Sequence, residues 1–376
     1  MSAAYAPPPV VAERLMPATA ATVRALDTPA VVIDLPTVER NLRLAHDHLL
    51  GLGLRIRPHV KTHKLVALAR LQQALGASGI TAQKVSEAAA MAEGGLDDIL
   101  IPYNILGSGK LDALGSLRRR ARVVVAADGE ATLCGYADAF TDPARPLPVM
   151  VECDTGAGRC GVQAPADAAR LAALIDAAPA LRFAGLLTYP AAGGTAAASA
   201  WLGEAVRLCA DAGLPPETVS GGGTPDLFRA GEVPEITEHR PGTYVYSDRM
   251  QVHLGHGTLD RCALSVLATV VSRPTPTRAI LDAGSKALTS DLVAADRADL
   301  GHGLIREAPE ALVTGLSEEH ATVRVPEGSS FPGVGETVRV VPNHACPVTN
   351  LFDEVTIAAG DRVLGTMRVD ARGTVR

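Results

Sequence analysis

The chain has 376 residues, 47% of them hydrophobic, with 35 basic and 41 acidic side chains and a net charge of -6, which is ample for a large buried core. The two signs are interleaved, so no basic face invites nucleic acid and no polybasic cluster invites a membrane. No stretch reaches the ~20 uninterrupted apolar residues of a membrane span, and small molecules are the expected partners.

Residues 1–21 are rich in Ala and Pro but lack a basic n-region and a continuous apolar h-region, so they read as a flexible lead rather than a signal peptide. A cytoplasmic protein is the expectation. The six cysteines, Cys134, Cys153, Cys160, Cys209, Cys262 and Cys346, show no CxxC spacing. Most sit in apolar runs, where a reduced thiol packs as a small hydrophobe, so no disulfide framework is expected.

The first strand-like run, 30–35, precedes a regular alternation. Eight short β-like runs follow, at 54–58, 80–85, 99–103, 122–126, 148–152, 183–187, 218–220 and 244–246. Between them lie Ala- and Leu-rich segments such as 65–75, 87–93, 167–177 and 198–212, whose apolar spacing suits helices packed on a sheet. Eight βα units describe an α/β fold, a (β/α)8 TIM-type barrel over 22–261, with a doubly wound sheet as the rival. After Arg261 the composition turns to Val/Thr-rich runs, at 265–271, 278–281, 321–325, 337–341, 354–357 and 362–369, separated by Pro, Gly and Asp. That pattern predicts a C-terminal antiparallel β domain over 262–376, which the strand at 30–35 is free to join.

In a barrel the reactive groups stand at the C-terminal ends of the strands. The first run ends in Arg57-Pro58-His59-Val60-Lys61-Thr62-His63-Lys64. A lysine there, flanked by other cations that favour its neutral form, is the kind of amine that forms a Schiff base with a carbonyl. Ser220-Gly221-Gly222-Gly223-Thr224 follows the seventh run. Consecutive N–H groups with no side chains in the way form an anion nest suited to a phosphate, and barrel phosphate sites favour the loops after strands seven and eight.

Gly156-Ala157-Gly158-Arg159-Cys160-Gly161 matches G-x-G-x-x-G. The dinucleotide reading is rejected, because no ribose-binding carboxylate ends the following run. In Pro342-Asn343-His344-Ala345-Cys346-Pro347, imidazole and thiol two apart on an extended segment point the same way, and both are good zinc ligands. Two protein ligands are too few for a closed structural site, so such a metal would keep positions open for water and substrate. His46, His48, His239, His253, His256 and His302 read as surface or loop residues rather than ligands. His320 is a candidate site residue.

Together these motifs resemble a fold-type III pyridoxal-phosphate enzyme, the alanine racemase-like barrel with a C-terminal β domain, in its D-threonine aldolase and D-serine dehydratase branch. Gln83-Lys84-Val85-Ser86-Glu87, Asp154 to Gly161 and Leu281-Asp282-Ala283-Gly284-Ser285-Lys286 carry the resemblance with the three motifs above. The resemblance implies that Lys61 holds pyridoxal 5'-phosphate covalently, that Gly222, Gly223 and Thr224 cradle its phosphate, and that Arg159 contacts its phenolic oxygen. It further implies Tyr189 beside the ring, Tyr244 near the phosphate or substrate, His59 tuning or contacting the cofactor, Gln83 within reach of the substrate, and a divalent metal, zinc ahead of manganese, on His344 and Cys346. A homodimer acting on a D-3-hydroxy amino acid is implied in the same way.

Three departures bear on the reaction. Aldolases of this branch have His-x-Asp at the metal position, whereas His344-Ala345-Cys346 is the dehydratase-like form. In those aldolases a histidine follows the tyrosine after strand six, but here Tyr189 is followed by Pro190. Arg240 resembles the racemase arginine that faces the pyridine nitrogen, which would leave that nitrogen unprotonated and make metal assistance matter more. A lyase yielding either glycine plus aldehyde or a 2-oxo acid plus ammonia is expected. A racemase would need a second-base tyrosine where 342–347 stands, and a non-catalytic cofactor carrier would lack the β domain.

Overall fold

The structure, a computed structural model, describes residues 5–376. It divides into two compact units, one built from residues up to Arg43 with Thr62–Leu71 and Thr243–Gly373, the other from Leu44–Lys61, Gln72–Gly242 and Thr374–Arg376.

The second unit holds eight parallel strands: Arg55–Ile56, Ile80–Thr81, Asp98–Asn104, Arg122–Ala127, Leu147–Cys153, Leu181–Thr188, Val219–Gly221 and Glu238–His239. From the second strand to the eighth each pairs in parallel with the next, and the eighth pairs in parallel with the first. Between the first and second strands the ring closes through Ser78 N–H to Ile56 O and Thr81 N–H to Pro58 O, both 2.8 Å. Leu100, Ala126, Met150, Ala184 and Leu187, from four consecutive strands, form one buried cluster. Burial of an aliphatic side chain of this kind contributes ~1.5–3 kcal/mol.

The eighth strand is a correction to the sequence reading, which placed it at 244–246. Thr243–Val245 is instead a short 3-10 helix, and the strand is the two-residue Glu238–His239. The physical reason is that this strand is polar yet buried. Glu238 accepts from Arg57 Nε at 2.8 Å and from Ser220 Oγ at 2.7 Å, while Arg57 also pairs with Asp98 at 2.7 Å. A buried ion pair satisfied on both sides can occupy a central strand without an apolar signature. The histidine reading is corrected too, since His46 and His239 are each only 1% exposed.

The first unit carries a nine-stranded sheet in the order Arg278–Leu281, Ala321–Arg324, Leu312–Leu316, Leu304–Ile305, Thr337–Val341, Leu264–Thr275, Ala30–Asp34, Glu354–Ala359, Arg362–Arg368. Leu264–Thr275 also pairs with Arg278–Leu281, so six strands curl into a closed β-barrel and three extend from it. Ala30–Asp34 does join this sheet, antiparallel to Leu264–Thr275 but parallel to Glu354–Ala359, the one parallel pairing within it. The stretch read as a flexible lead carries the helix Pro9–Ala12, with Val11 buried, and Met16 exchanges backbone hydrogen bonds with Thr366. Met1–Ala4 lie outside the described residues. No helix among the described residues is long and apolar enough to cross a membrane.

Candidate cofactor and metal sites

Within the parallel barrel, the segments leaving the strands carry the reactive groups. Lys61 sits exposed in the 3-10 turn Val60–Thr62, just past the first strand. Its backbone N–H donates to Nδ1 of buried His59 at 3.3 Å, and Nε2 of His59 lies 2.9 Å from Oε1 of Gln83. An imidazole that accepts at Nδ1 must carry its proton on Nε2, so His59 is neutral and donates to Gln83.

After the seventh strand comes the glycine nest. Gly222 takes φ +78°, and the imidazole of His239 lies where its Cβ would stand. A Cβ on Gly223 would meet Cε2 of Tyr189 at 2.9 Å. Gly222 is therefore favoured by packing as well as by the turn, and Gly223 by packing alone. Tyr189, 41% exposed, follows the sixth strand, and Arg159 lies over its ring at 5.3 Å.

Arg159 belongs to the loop after the fifth strand, which Asp154 organises by accepting from the N–H groups of Gly156 at 3.0 Å and Gly158 at 3.1 Å. The next helix begins only at Pro165, so the glycines do not open a helix as a dinucleotide fingerprint must. The buried carboxyl of Glu152 lies 3.9 Å from Arg159. Burial pushes it above its ordinary range, against the pull of Arg159 and Arg240. Arg240 follows the eighth strand. Its Nη2 donates to Thr188 O at 2.7 Å, but Nη1 is buried with no partner among the described residues. Burial lowers its guanidinium to about 10.

In the other unit His344 and Cys346 face each other, linked by a side-chain hydrogen bond. They do not share one extended segment as expected. His344 is extended after the strand Thr337–Val341, and the helix Ala345–Leu351 begins at the next residue. Asp248, which caps the helix Arg249–His253, holds that junction by accepting from Ala345 N–H at 3.0 Å.

Nδ1 of His344 donates to Asp291 Oδ2 at 2.7 Å. Sγ of Cys346 is 3.2 Å from Thr62 Oγ1 and 3.6 Å from Thr243 Oγ1. Burial works against charge on His344, yet Cys346 and Asp291 outweigh it and raise the imidazole to about 9. Burial likewise opposes ionisation of Cys346, and His344, Thr62 and Thr243 overcome it, bringing the thiol below its ordinary value. The pair is a thiol whose ionisation its neighbours favour, beside an imidazole whose far nitrogen is already engaged, a donor set that fits a divalent ion.

Tyr244 is buried in the 3-10 helix Thr243–Val245. His320 lies in the exposed turn between Leu312–Leu316 and Ala321–Arg324, its carbonyl accepting from Ser317. Asp291, Thr62, Asp248 and Glu152 were not singled out from the sequence. None of them sits in a short motif with the residue it supports, apart from Asp248, which caps a helix.

A parallel eight-stranded barrel with a lysine leaving strand one and a glycine nest leaving strand seven defines the alanine racemase class of barrel. The family described as "Alanine racemase, N-terminal domain" matches residues 33–250, more than half of the chain, and the "Putative serine dehydratase domain" matches residues 263–358. A D-threonine aldolase of Arthrobacter sp. is 34% identical over 364 residues, 93% of this chain and 94% of that one. The crystal structure of D-threonine aldolase from Filomicrobium marinum aligns with a TM-score of 0.86 at 32% identity, covering 96% of this chain and all of that one. A cysteine variant of D-threo-3-hydroxyaspartate dehydratase, solved in the metal-free form, aligns at 0.82 and 31%, covering 92% and 98%. The chain belongs to this family of alanine racemase-type barrels, in the group that holds these aldolases and dehydratases.

Proposed function

We propose that this chain is a pyridoxal-phosphate- and divalent-metal-dependent lyase that dehydrates D-3-hydroxy amino acids to a 2-oxo acid and ammonia. The observation that carries the choice is the His344–Cys346 pair, a cysteine where aldolases of this branch have a carboxylate. The absence of a histidine after Tyr189 points the same way. The relatives include both reactions at nearly equal identity, so similarity alone does not choose.

Two features support the cofactor. The nest at Gly222 and Gly223 is walled by His239 and Tyr189, so that no side chain fits there and its N–H groups would bind a phosphate. The orphaned Nη1 of Arg240 asks for an acceptor such as a pyridine nitrogen. Pyridoxal phosphate, when bound, supplies an electron sink for the substrate's α-carbon. Lys61 would hold its carbonyl carbon and, once freed by the substrate's amine, take the α-proton. Gly222, Gly223 and Thr224 would bind the phosphate, Arg159 the phenolic oxygen and Arg240 the ring nitrogen. Tyr189 would flank the ring, with Tyr244 near the phosphate or substrate. Gln83, oriented by His59, would hold the substrate.

The metal would supply a Lewis acid for the β-hydroxyl, which must leave as water. Soft sulfur with imidazole favours zinc over manganese. We also read the protein as a cytoplasmic homodimer, the first from its six free cysteines and the second from the family resemblance.

The test is to incubate metal-loaded protein with D-threonine, D-serine and D-3-hydroxyaspartate. A 2-oxo acid with stoichiometric ammonia supports dehydration, and glycine with an aldehyde refutes it in favour of aldol cleavage. EDTA should abolish turnover and leave the cofactor's absorbance in place, whereas a racemase or a carrier would be indifferent to it.

A further inference from the structure

We propose that Asp291 is the positioning residue of the metal pair, fixing the tautomer and ring orientation of His344 so that Nε2 alone is offered to the ion. The inference rests on the metal reading above and deepens it.

Asp291 stands 53 residues before His344 in the chain and makes one short contact with it, Nδ1–H to Oδ2 at 2.7 Å. The carboxylate accepts only, so this contact keeps a proton on Nδ1, and in the neutral ring that binds a metal the lone pair then falls on Nε2. Nε2 is then the nitrogen available to face Sγ of Cys346, on the side where the ion would sit.

The contact does not look like a stabilising surface pair. The two side chains are 45% and 32% exposed, and exposed pairs of this kind add little to stability. What distinguishes it is how firmly its partner is placed. Asn343, next to His344, donates from its amide to the backbone carbonyls of Asp291 at 2.9 Å and Gly301 at 2.8 Å. Arg249 Nη1 in turn donates to the Asn343 side-chain oxygen at 2.7 Å and to Leu300 O at 3.1 Å. The residue beside the imidazole thus clamps the backbone that presents the carboxylate to it. These clamps use Asp291's main chain, so a substitution that removes only the carboxylate leaves the loop tethered.

Carboxylates behind metal-bound histidines raise ligand basicity as well as fixing orientation, and losing one costs about 10–100-fold in metal affinity. The experiment is titration of zinc, and of cobalt as a spectroscopic probe, into cofactor-loaded, chelator-stripped protein. Wild type should bind one ion per chain with a thiolate-to-cobalt charge-transfer band. Asp291→Ala should bind about 10–100-fold more weakly with the band retained at saturation. Asp291→Asn, whose amide can turn its N–H toward Nδ1 and favour the wrong tautomer, should also weaken binding. Asp291→Glu should recover most of the loss.

His344→Ala and Cys346→Ala are the controls for the site itself. If these two do not reduce binding, the metal reading fails. If they abolish binding and Asp291→Ala stays within about threefold of wild type, far short of the usual cost of losing such a partner, the metal reading stands and the role of Asp291 is overturned. Unchanged cofactor absorbance and urea midpoint in Asp291→Ala would separate lost positioning from lost folding.

Discussion

Arg240 is satisfied at one end and open at the other: Nη2 donates to the carbonyl of Thr188 at 2.7 Å, while Nη1, buried beside it, has no partner among the described residues. A buried charged donor left without an acceptor is costly, and a hydrogen bond to a charged group is worth about 1.5–3 kcal/mol. A ring nitrogen placed against Nη1 would recover that energy. Arg240→Met should therefore weaken pyridoxal-phosphate binding by about 10–100-fold. It should also shrink the gain in urea midpoint that the cofactor gives wild type. Fluorescence titration and unfolding with and without cofactor measure both, and an unchanged gain would remove Arg240 from the ring nitrogen.

The two nest glycines should tolerate alanine unequally. At Gly222 a Cβ would enter the imidazole of His239, a buried ring on the neighbouring strand, and the residue would have to keep φ +78°. Positive φ alone costs an L-residue about 1–2 kcal/mol. At Gly223 the neighbour is the edge of Tyr189, a half-exposed side chain that can give, and φ is not positive. Gly222→Ala should lower phosphate affinity at least about tenfold and Gly223→Ala less. Titration with inorganic phosphate and with the cofactor orders the two, and the reverse order would contradict the nest as drawn.

His239 also predicts a pH dependence of folding. Burial is the largest influence on it, with Arg240 and His48 adding repulsion, and together they lower the imidazole to about 3. In the unfolded chain it titrates near 6.5. Between those values the unfolded state binds a proton that the folded state refuses, so stability falls as pH drops below about 6.5 and is regained above it. For this one group the loss between pH 7.5 and pH 5 is about 2 kcal/mol. His239→Phe keeps a ring behind Gly222 and cannot titrate, so its urea-derived stability should decline less over that range, by about the same amount. Parallel pH profiles would count against a neutral buried His239.

The sequence made the barrel visible where apolar runs end in recognisable chemistry, as at Lys61 and at the glycines after Ser220. It hid the eighth strand because Glu238 and His239 are polar residues buried through ion pairing and packing, and a period-2 or apolar-run reading has nothing to detect there. Tyr244–Tyr246, with its bulky buried side chains, took that place instead. The His344–Cys346 pair was legible as two good ligand types two residues apart, yet the spacing said nothing of the helix that begins at Ala345. Asp291 was not legible at all. Its loop reaches His344 only through the fold of the β domain and the amide of Asn343, a relation that no local spacing encodes. Arg240 could be flagged only by resemblance, because the fact that matters, an unpaired Nη1, exists only once Thr188 has taken the other nitrogen.

The choice between sulfur and carboxylate at position 346 should set metal preference directly. Sγ of Cys346 is held by two hydroxyls, Thr62 and Thr243, and by His344, an arrangement that lowers the thiol against the opposing effect of burial and favours a soft sulfur ligand. Soft ligands select zinc, whereas a carboxylate suits harder ions such as manganese. Cys346→Asp should lower the zinc-to-manganese affinity ratio by about tenfold or more, in line with the loss of a ligand's softness, and should abolish the thiolate-to-cobalt band. Because Thr62 and Thr243 can donate to a carboxylate as well as to sulfur, the variant should still bind one ion and keep its cofactor absorbance. Competition titrations with the two metals read the ratio. If zinc preference survives the substitution unchanged, Cys346 does not ligate the ion, and the dehydratase reading loses the observation on which it stands.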